Sequence, residues 1–207
     1  MLAYAGQMDV IQDVMGGADL HEATARRVGV ARGRAKTINF AVLYGSGNDN
    51  LASMLGISVH EAAILRNKYY CAMPRVLNLI SKIKRTVLSE GYVTNWLGRR
   101  LHLPGGLSSM SYAVPNHLIQ GGGADICKRA MVEVAPALAG TGIKMTKQVH
   151  DQLVFQVPKC QVDKMLGIPK IMEDVFPEKN GMRMKADMSW SDRSFAEADM
   201  KKGFYGV

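Results

Sequence analysis

The feature that most constrains the fold is a change of hydrophobic period at Gly91. Before this glycine, apolar residues recur at helical spacing, and the stretch 75–90 places one set on a single helix face: Val76, Leu79, Ile80, Ile83 and Val87. After it, residues 91–104 alternate as strands do, around a turn at Leu97-Gly98. The chain therefore predicts an α+β fold with a helix-rich first half and a mixed second half.

Capping residues and glycines predict where the early helices begin and end. Asp19 with Glu22, and Ser58 with Glu61, have the capping-box spacing that opens a helix. The first of these helices is expected to reach about residue 28, and the second to run toward residue 74. A third helix is expected over 32–44, because Gly45 follows it as a stop signal.

The second half is predicted to mix both kinds of element. A helix over about 109–138 is expected to be disturbed by Pro115 and by Gly121-Gly122-Gly123. Another helix is predicted over 160–175. Strands are predicted over 143–157 and 182–190.

The composition is that of a basic, globular, intracellular protein. The 207 residues are 47% hydrophobic and 21% charged, with a formal net charge of +8 that favours a polyanionic partner such as nucleic acid, although a solvated basic face has the same composition. Cys71, Cys127 and Cys160 stand far apart, as reduced thiols of a cytosolic protein do. No apolar run is long enough to span a membrane, and no signal peptide is recognisable. A cytoplasmic location without a membrane partner is expected.

One stripe of the predicted helix over 32–44 is chemically graded. Arg32, Lys36, Phe40 and Tyr44 recur every four residues, and steps of four drift by about 40° around a helix, so the stripe is roughly 18 Å long. Its cations suit phosphate oxygens and its rings suit a base or a sugar, as a nucleoside triphosphate requires. An amphipathic helix with a basic end and core aromatics is the other interpretation.

The stretch QVHDQLVFQVP, residues 148–158, consists of two strand-like runs that meet at His150-Asp151-Gln152. An aspartate at the tip of a tight hairpin lies outside the strand ladder. Its carboxylate can therefore reach hard cations, which prefer oxygen ligands. An exposed polar turn is the alternative interpretation of this pattern.

The stripe matches the motif R-x3-K-x7-Y-G, in which the chain resembles family A (DNA polymerase I-like) DNA polymerases. The resemblance implies a fingers helix that binds the incoming deoxynucleotide, with Arg32 and Lys36 at the triphosphate, Phe40 by the sugar and Tyr44 near the nascent base pair. Single-subunit RNA polymerases share the Arg, the Lys and the Tyr-Gly pair but usually lack the phenylalanine. Phe40 therefore favours DNA synthesis over RNA synthesis.

Three further segments resemble the same family. ADLHEATA is similar to the family's DIHxxTA, which implies that His21 contacts the triphosphate, and anions are favoured at such a helix start. EGYVTNWLGRRLHLP resembles a hairpin whose arginines, here Arg99 and Arg100, meet the primer-template backbone. NHLIQGGGADICKRAM resembles a helix whose amides, here Asn116 and Gln120, read the minor groove.

Two positions depart from the family pattern on the template side. Tyr112 stands where the family has an arginine, and Gly47-Asn48-Asp49-Asn50 replaces a common aromatic residue. The resemblance therefore implies neither the family's template contact at residue 112 nor its template stacking at residues 47–50.

The hairpin QVHDQ resembles the family's palm hairpin QVHDExxxE, with Gln152 in place of the usual glutamate. The resemblance implies that Asp151 binds Mg²⁺, that Lys36 is the other catalytic residue, and that His150 touches the primer terminus. Polymerisation in this family uses two divalent metals bridged by two aspartates, one activating the primer 3′-hydroxyl and one neutralising pyrophosphate. The second aspartate belongs to a DxSxxELR segment, which matches none of the other candidates: Asp125, Asp163, Asp174 and Asp187.

The resemblance therefore predicts an incomplete right-hand polymerase, with fingers at 1–90 and the C-terminal part of the palm, with its small antiparallel sheet, at 91–207. The expected partners are primer-template DNA, dNTP and an N-terminal polymerase chain that carries the missing aspartate, as in a split or truncated phage-type replicase. The isolated chain is expected to be inactive. A gene fragment and a noncatalytic remnant are further interpretations, and a noncatalytic DNA-binding or assembly protein derived from a polymerase is the alternative function.

Overall fold

The computed structural model of the chain describes residues 1–102, 113–176, 178 and 180–200. Helices dominate up to Gly91, with these bounds: α1 (Leu2–Ala5), α2 (Met8–Met15), α3 (Leu20–Val28), α4 (Arg32–Leu43), α5 (Asn48–Leu55), α6 (Val59–Ala72) and α7 (Pro74–Glu90). Later elements mix strand and helix: β1 (Tyr92–Thr94), β2 (Arg100–His102), α8 (Val114–Leu138), β3 (Lys144–Val149), β4 (Gln152–Gln156), a 3₁₀ helix (Lys159–Gly167), α9 (Ile168–Asp174) and α10 (Phe195–Met200). The predicted α+β class is confirmed.

The predicted capping box forms completely at the start of α6, and at the start of α3 the Asp19 half of it is observed. At the start of α6 the Ser58 hydroxyl accepts from the Glu61 N–H at 3.2 Å, while the Glu61 carboxylate accepts from the Ser58 N–H at 2.8 Å. The Asp19 carboxylate caps α3 by accepting from the Glu22 N–H at 2.9 Å. These bonds satisfy backbone donors that the first helical turn leaves without a partner. Gly91 ends α7 with a positive φ of 78°, which glycine adopts without strain.

Helix α8 differs from its prediction at both expected disturbances. It begins at Val114, and the residues over 109–112 of the predicted start, Tyr112 among them, lie outside the described residues. Pro115 therefore occupies the first turn, where its missing N–H has no helical partner to lose. The three glycines continue the helix, and two of them let other side chains approach: a Cβ on Gly121 would lie 3.4 Å from Leu101, and one on Gly122 would lie 3.2 Å from the Tyr4 hydroxyl.

The close approach at Gly122 predicts opposite effects for two neighbouring alanine substitutions. A Cβ on Gly123 would meet no heavy atom within 4 Å beyond its own helix and chain neighbours, so Gly123→Ala should stabilise the helix by about 0.5–1 kcal/mol. Gly122→Ala should lower the free energy of unfolding by about 1–2 kcal/mol relative to that variant, since Tyr4 stacks on Trp96 at 3.7 Å and resists displacement. Urea denaturation of both variants checks this, and equal midpoints would contradict it.

The predicted strand over 182–190 is wrong. Met182 forms an isolated bridge, and residues 183–190 have no regular secondary structure. Alternation makes a strand only where an edge is available for pairing, and the sheets of the described chain are two antiparallel pairs, β1 with β2 and β3 with β4. The predicted helix over 160–175 is observed as the 3₁₀ helix followed by α9. Helix α5 is also present, although the sequence analysis does not predict it.

The chain forms two compact units. The first contains Met1–Gly122 with residues 180–182, and the second contains the described residues from Gly123 onward apart from that short segment. The division between the two compact units lies inside α8. The predicted boundary between fingers and palm at residue 90 is a functional division, and it stays a prediction. No helix of the described residues is long and apolar enough to cross a membrane.

Each unit has its own apolar core. The main core of the first unit is built around fully buried side chains from six helices and the residue that joins α6 to α7: Val10, Ala23, Ile38, Leu51, Ala62, Met73 and Val76. A smaller cluster in the same unit joins the second half of α7 to the β1–β2 hairpin and the start of α8, through Ile83, Val87, Val93, Val114 and Leu118. In the second unit, Val134 of α8 packs with Ile143, Met165 and Ile168.

Candidate functional site

Helix α4 has a buried face and a solvent-accessible stripe. Its buried residues are Ala35, Ile38, Ala41 and Val42, and they anchor the helix in the core of the first unit. The predicted stripe is accessible along its whole length: Arg32, Lys36, Phe40 and Tyr44. The four side chains that the sequence assigns to one ligand therefore lie together on one surface of the protein.

The aromatic end of the stripe presents open ring surface. Phe40 and Tyr44 are 39% and 47% exposed, so part of each ring faces solvent. The Tyr44 ring lies 6.3 Å from the Phe40 ring at an interplanar angle of 27°. On the other side, the His21 ring of α3 lies 5.8 Å from Phe40. Exposed rings of this kind offer stacking surface to a planar or sugar-like ligand.

The basic end of the stripe has one paired cation. The Arg32 guanidinium donates to both oxygens of Asp19, at 3.0 and 2.9 Å, so Asp19 binds this arginine as well as capping α3. The hydrogen bonds from Arg32, and then that from the Glu22 N–H, lower the pKa of Asp19 to about 2. Both side chains are about half exposed, so solvent screens the pair and leaves Arg32 accessible. Within the described residues Lys36 makes no ion pair.

The pairing of Asp19 with Arg32 is a contact that sequence reasoning missed. The local sequence identifies Asp19 as a helix cap alone, because capping is a short-range signal and the arginine lies thirteen residues away. The sequence signal that could have indicated this pair is the negative charge of Asp19, which lies at the start of α3, the helix that packs on α4. Asn39, which contacts His21, is missed for the same reason.

The hairpin of β1 and β2 presents the two predicted arginines. The Asn95 side-chain oxygen accepts from the backbone N–H groups of Leu97 and Arg99, both at 3.0 Å, and so fixes the turn. Arg99 and Arg100 follow this turn and are exposed, with the Arg100 guanidinium 4.6 Å from the centre of the Tyr92 ring. Two exposed arginines that are neighbours in this hairpin form a surface suited to phosphates.

The predicted amides lie one turn apart on α8. Asn116 is half-buried in its first turn and Gln120 is exposed, and the spacing of four places them on a shared face. The buried Oδ1 of Asn116 has no hydrogen-bond partner among the described residues. A buried acceptor without a donor is uncommon in a folded protein.

The tip of the β3–β4 hairpin is the two-residue turn His150-Asp151. The closing pair is Val149 with Gln152, so Asp151 lies outside the ladder, as predicted, and it is exposed. His150 has a positive φ of 53°, a conformation that a histidine adopts at a small energetic cost. The Gln148 amide supports this turn by donating to the His150 carbonyl at 2.9 Å.

Helix α8 lies close to this tip within the second unit. Burial raises the pKa of the Cys127 thiol, a hydrogen bond with Gln148 opposes that rise, and the Asp151 carboxylate adds to it. The Asp151 carboxylate therefore lies close enough to α8 to influence the Cys127 thiol.

Across the described ranges 1–102, 113–176, 178 and 180–200, no group of three or more His, Cys, Asp or Glu side chains is arranged to hold a metal ion.

The predicted site residues divide between the two units. Nine of them lie in the first unit: His21, Arg32, Lys36, Phe40, Tyr44, Arg99, Arg100, Asn116 and Gln120. His150 and Asp151 lie in the second. The stripe of α4 and His21 form one cluster, and the hairpin arginines, the α8 amides and the Asp151 tip are three further surfaces.

Comparison with known proteins finds bacterial DNA polymerases I among the relatives of this chain. The chain is 36% identical over 180 residues to DNA polymerase I of Deinococcus radiodurans. The aligned region covers 77% of this chain and 18% of that protein. It is 33% identical over 193 residues to the thermostable DNA polymerase I of Thermus aquaticus, covering 84% of this chain and 23% of that protein. The chain spans about a fifth of the length of these curated relatives.

A solved structure has the same fold. It is the POL domain of Pol1 from M. smegmatis in complex with DNA primer-template and dNTP, with a TM-score of 0.77 and 27% identity over 86% of this chain and 35% of that chain. The family described as DNA polymerase family A matches residues 1–195, which is nearly the whole chain. This chain therefore belongs to DNA polymerase family A.

Proposed function

We propose that this chain is the nucleotide- and DNA-binding part of a DNA-directed DNA polymerase, which transfers deoxynucleotidyl groups to a primer. The observation that carries the proposal is the accessible stripe of α4, in which two cations and two rings lie in line beside His21. The similarity to a POL domain in complex with DNA primer-template and dNTP supports it.

The incoming dNTP lies along this stripe in our proposal. Arg32 and Lys36 bind the triphosphate, because cationic donors at the start of α4 suit anionic oxygens. Phe40 packs against the sugar, and Tyr44 stacks near the nascent base pair. His21 adds a further contact to the triphosphate from the first turn of α3. Lys36, which makes no ion pair within the described residues, is also the group proposed to stabilise the charge that develops on the leaving pyrophosphate.

The remaining surfaces bind primer-template DNA in this proposal. Arg99 and Arg100 contact the phosphate backbone, which is a sequence-independent contact. The side-chain N–H groups of Asn116 and Gln120 donate to the minor groove, where every Watson-Crick pair presents acceptors. His150 contacts the primer terminus from the hairpin tip. These roles assign residues 1–90 to the fingers and 91–207 to the palm.

Asp151 fits a role as a ligand of Mg²⁺, because it is an exposed carboxylate held outside a strand ladder by a two-residue turn. When bound, the two metal ions of such a site activate the primer 3′-hydroxyl and neutralise the leaving group. A second aspartate is proposed to come from outside these 207 residues, from preceding polypeptide or from a separate polymerase chain. Robust Mg²⁺-dependent extension by the pure 207-residue protein would contradict this part of the proposal.

Nucleotide binding tests the proposed stripe. Lys36→Ala should weaken the binding of dATP by about tenfold to a hundredfold, because a charge-assisted hydrogen bond to phosphate is lost. Isothermal titration calorimetry in the presence of Mg²⁺ measures the change, and Lys68→Ala, an exposed lysine of α6, is the matched control. Equal affinities of the two variants, or no binding by the wild-type chain, would contradict the proposal.

A noncatalytic DNA-binding or assembly protein is the second candidate, and the net charge of +8 favours it. Such a protein would bind primer-template DNA with a strong salt dependence, but it would show no preference for dNTP and no dependence on Asp151. Primer extension by the polymerase that contains this chain separates the two candidates.

A further inference from the structure

Asn39 has no role in the proposed nucleotide site, yet it lies on the same side of α4 as Arg32. It follows Arg32 by seven residues, which places it about 20° away around the helix. Its side chain is half-buried and contacts α3: the amide nitrogen lies 3.0 Å from the Thr24 hydroxyl oxygen and 3.1 Å from Nδ1 of His21. One amide group thus holds two side chains of the neighbouring helix.

The direction of each hydrogen bond follows from Thr24. Thr24 is fully buried, and its hydroxyl donates to the Leu20 carbonyl at 2.9 Å. Donation to the Asn39 oxygen instead would span 3.4 Å, so the Leu20 carbonyl is the better acceptor. The Thr24 oxygen is therefore left to accept, and the Asn39 amide nitrogen is the group that donates to it.

The amide nitrogen that faces Thr24 also faces His21. A carboxamide nitrogen carries two N–H donors and accepts nothing, so Nδ1 of His21 must be the acceptor. The proton of the neutral imidazole then belongs to Nε2, on the other side of the ring. The same ring lies 5.8 Å from the Phe40 ring, measured between ring centres.

We infer that Asn39 is a positioning residue, which holds His21 as the Nε2–H tautomer so that this N–H donates to an oxygen of the bound triphosphate. The inference rests on the proposed function for the identity of the ligand. Asn39 itself touches no substrate, and its effect is exerted through His21. A histidine without this partner would populate both tautomers and would present an acceptor to an anion part of the time.

The tautomer is measured by NMR on the full 207-residue chain labelled with ¹⁵N-histidine, at a pH where the imidazole is neutral. The two ring nitrogens of each tautomer have distinct ¹⁵N shifts, and His21→Gln assigns the resonances among the five histidines. His21 of the wild type should give the Nε2–H pattern. Asn39→Leu should give a mixture of tautomers, and Asn39→Asp, which offers only acceptors, should move the proton to Nδ1.

Asn39→Asp keeps the shape of the side chain. It therefore still tests whether the His21 tautomer depends on residue 39, even if Asn39→Leu perturbs the packing of α3 on α4. Asn67→Leu and Asn67→Asp, at an exposed asparagine of α6, are the controls and should leave the His21 pattern unchanged. A wild-type Nδ1–H pattern, or a pattern that does not respond to Asn39, would overturn the inference even if the stripe binds dNTP as proposed.

The effect on the ligand is measured by dATP affinity in a double-mutant cycle. Asn39→Leu should weaken binding by about fivefold to tenfold in the wild-type background and should have almost no effect when His21 is already glutamine. Equal losses in both backgrounds would overturn the inference, because Asn39 would then act independently of His21. Failure of the proposed function gives a different result, in which Lys36→Ala leaves dATP affinity unchanged while the tautomer still depends on Asn39.

Discussion

Replacing Asp151 by asparagine is expected to slow primer extension by about a thousandfold, because a metal-supported phosphoryl transfer loses several kcal/mol of charge stabilisation when an anionic ligand becomes neutral. Asparagine has nearly the same shape as aspartate, and Asp151 is exposed at a hairpin tip, so the fold should not change. The rate is measured with this chain joined to, or mixed with, the polymerase segment that supplies the second aspartate.

The matched control for that experiment is Asp163→Asn. Asp163 is also exposed and lies in the same compact unit, in the 3₁₀ helix, so the substitution removes the same charge away from the proposed metal site. It should extend primers at the wild-type rate. If the Asp151 variant matched it, the assignment of Asp151 as a metal ligand would be wrong.

Replacing Ile38 by alanine is expected to lower the free energy of unfolding of the first unit by about 3 kcal/mol, since the side chain is fully buried and its removal leaves a cavity. Ile38 lies on the buried face of α4, away from the stripe. The variant should therefore also bind dNTP more weakly, because α4, which carries the stripe, is less firmly packed in the core.

Ile64→Ala is the control for this prediction, because Ile64 of α6 is 44% exposed and loses little buried surface. Its free energy of unfolding should stay within about 0.5 kcal/mol of the wild-type value. Urea denaturation followed by circular dichroism compares the two variants. Coincident unfolding curves would show that α4 is not anchored through Ile38.

Local chemistry accounts for the features that sequence reasoning predicted well. The capping box at Ser58, the glycine that ends α7 and the two-residue turn at Asp151 each depend on residues within four positions of one another. The stripe of α4 also follows from spacing alone, because a helix of known bounds determines which side chains share a face. The stripe is exposed because the apolar residues of α4 lie on another face of the helix, which packs into the core.

The misses have a different physical origin. The alternating residues over 182–190 have the pattern of a strand but no neighbouring edge to pair with among the described strands, and strand formation depends on that edge. The run Gly121-Gly122-Gly123 has the composition of a helix breaker, yet it continues α8, and the Leu101 side chain and the Tyr4 hydroxyl pack close to where Cβ atoms on Gly121 and Gly122 would lie. Neither fact is contained in the nearby sequence.

The sequence by itself determined most of the helices, the hairpin tips and the family to which the chain belongs, since these depend on short-range spacing and on motifs that remain intact. Only the tertiary structure decided that Asp19 pairs with Arg32 and that Asn39 binds His21 and Thr24. These partners are thirteen to eighteen residues apart along the chain. They meet because α3 packs against α4, and hydrogen bonds form only between side chains that such packing brings within about 3 Å.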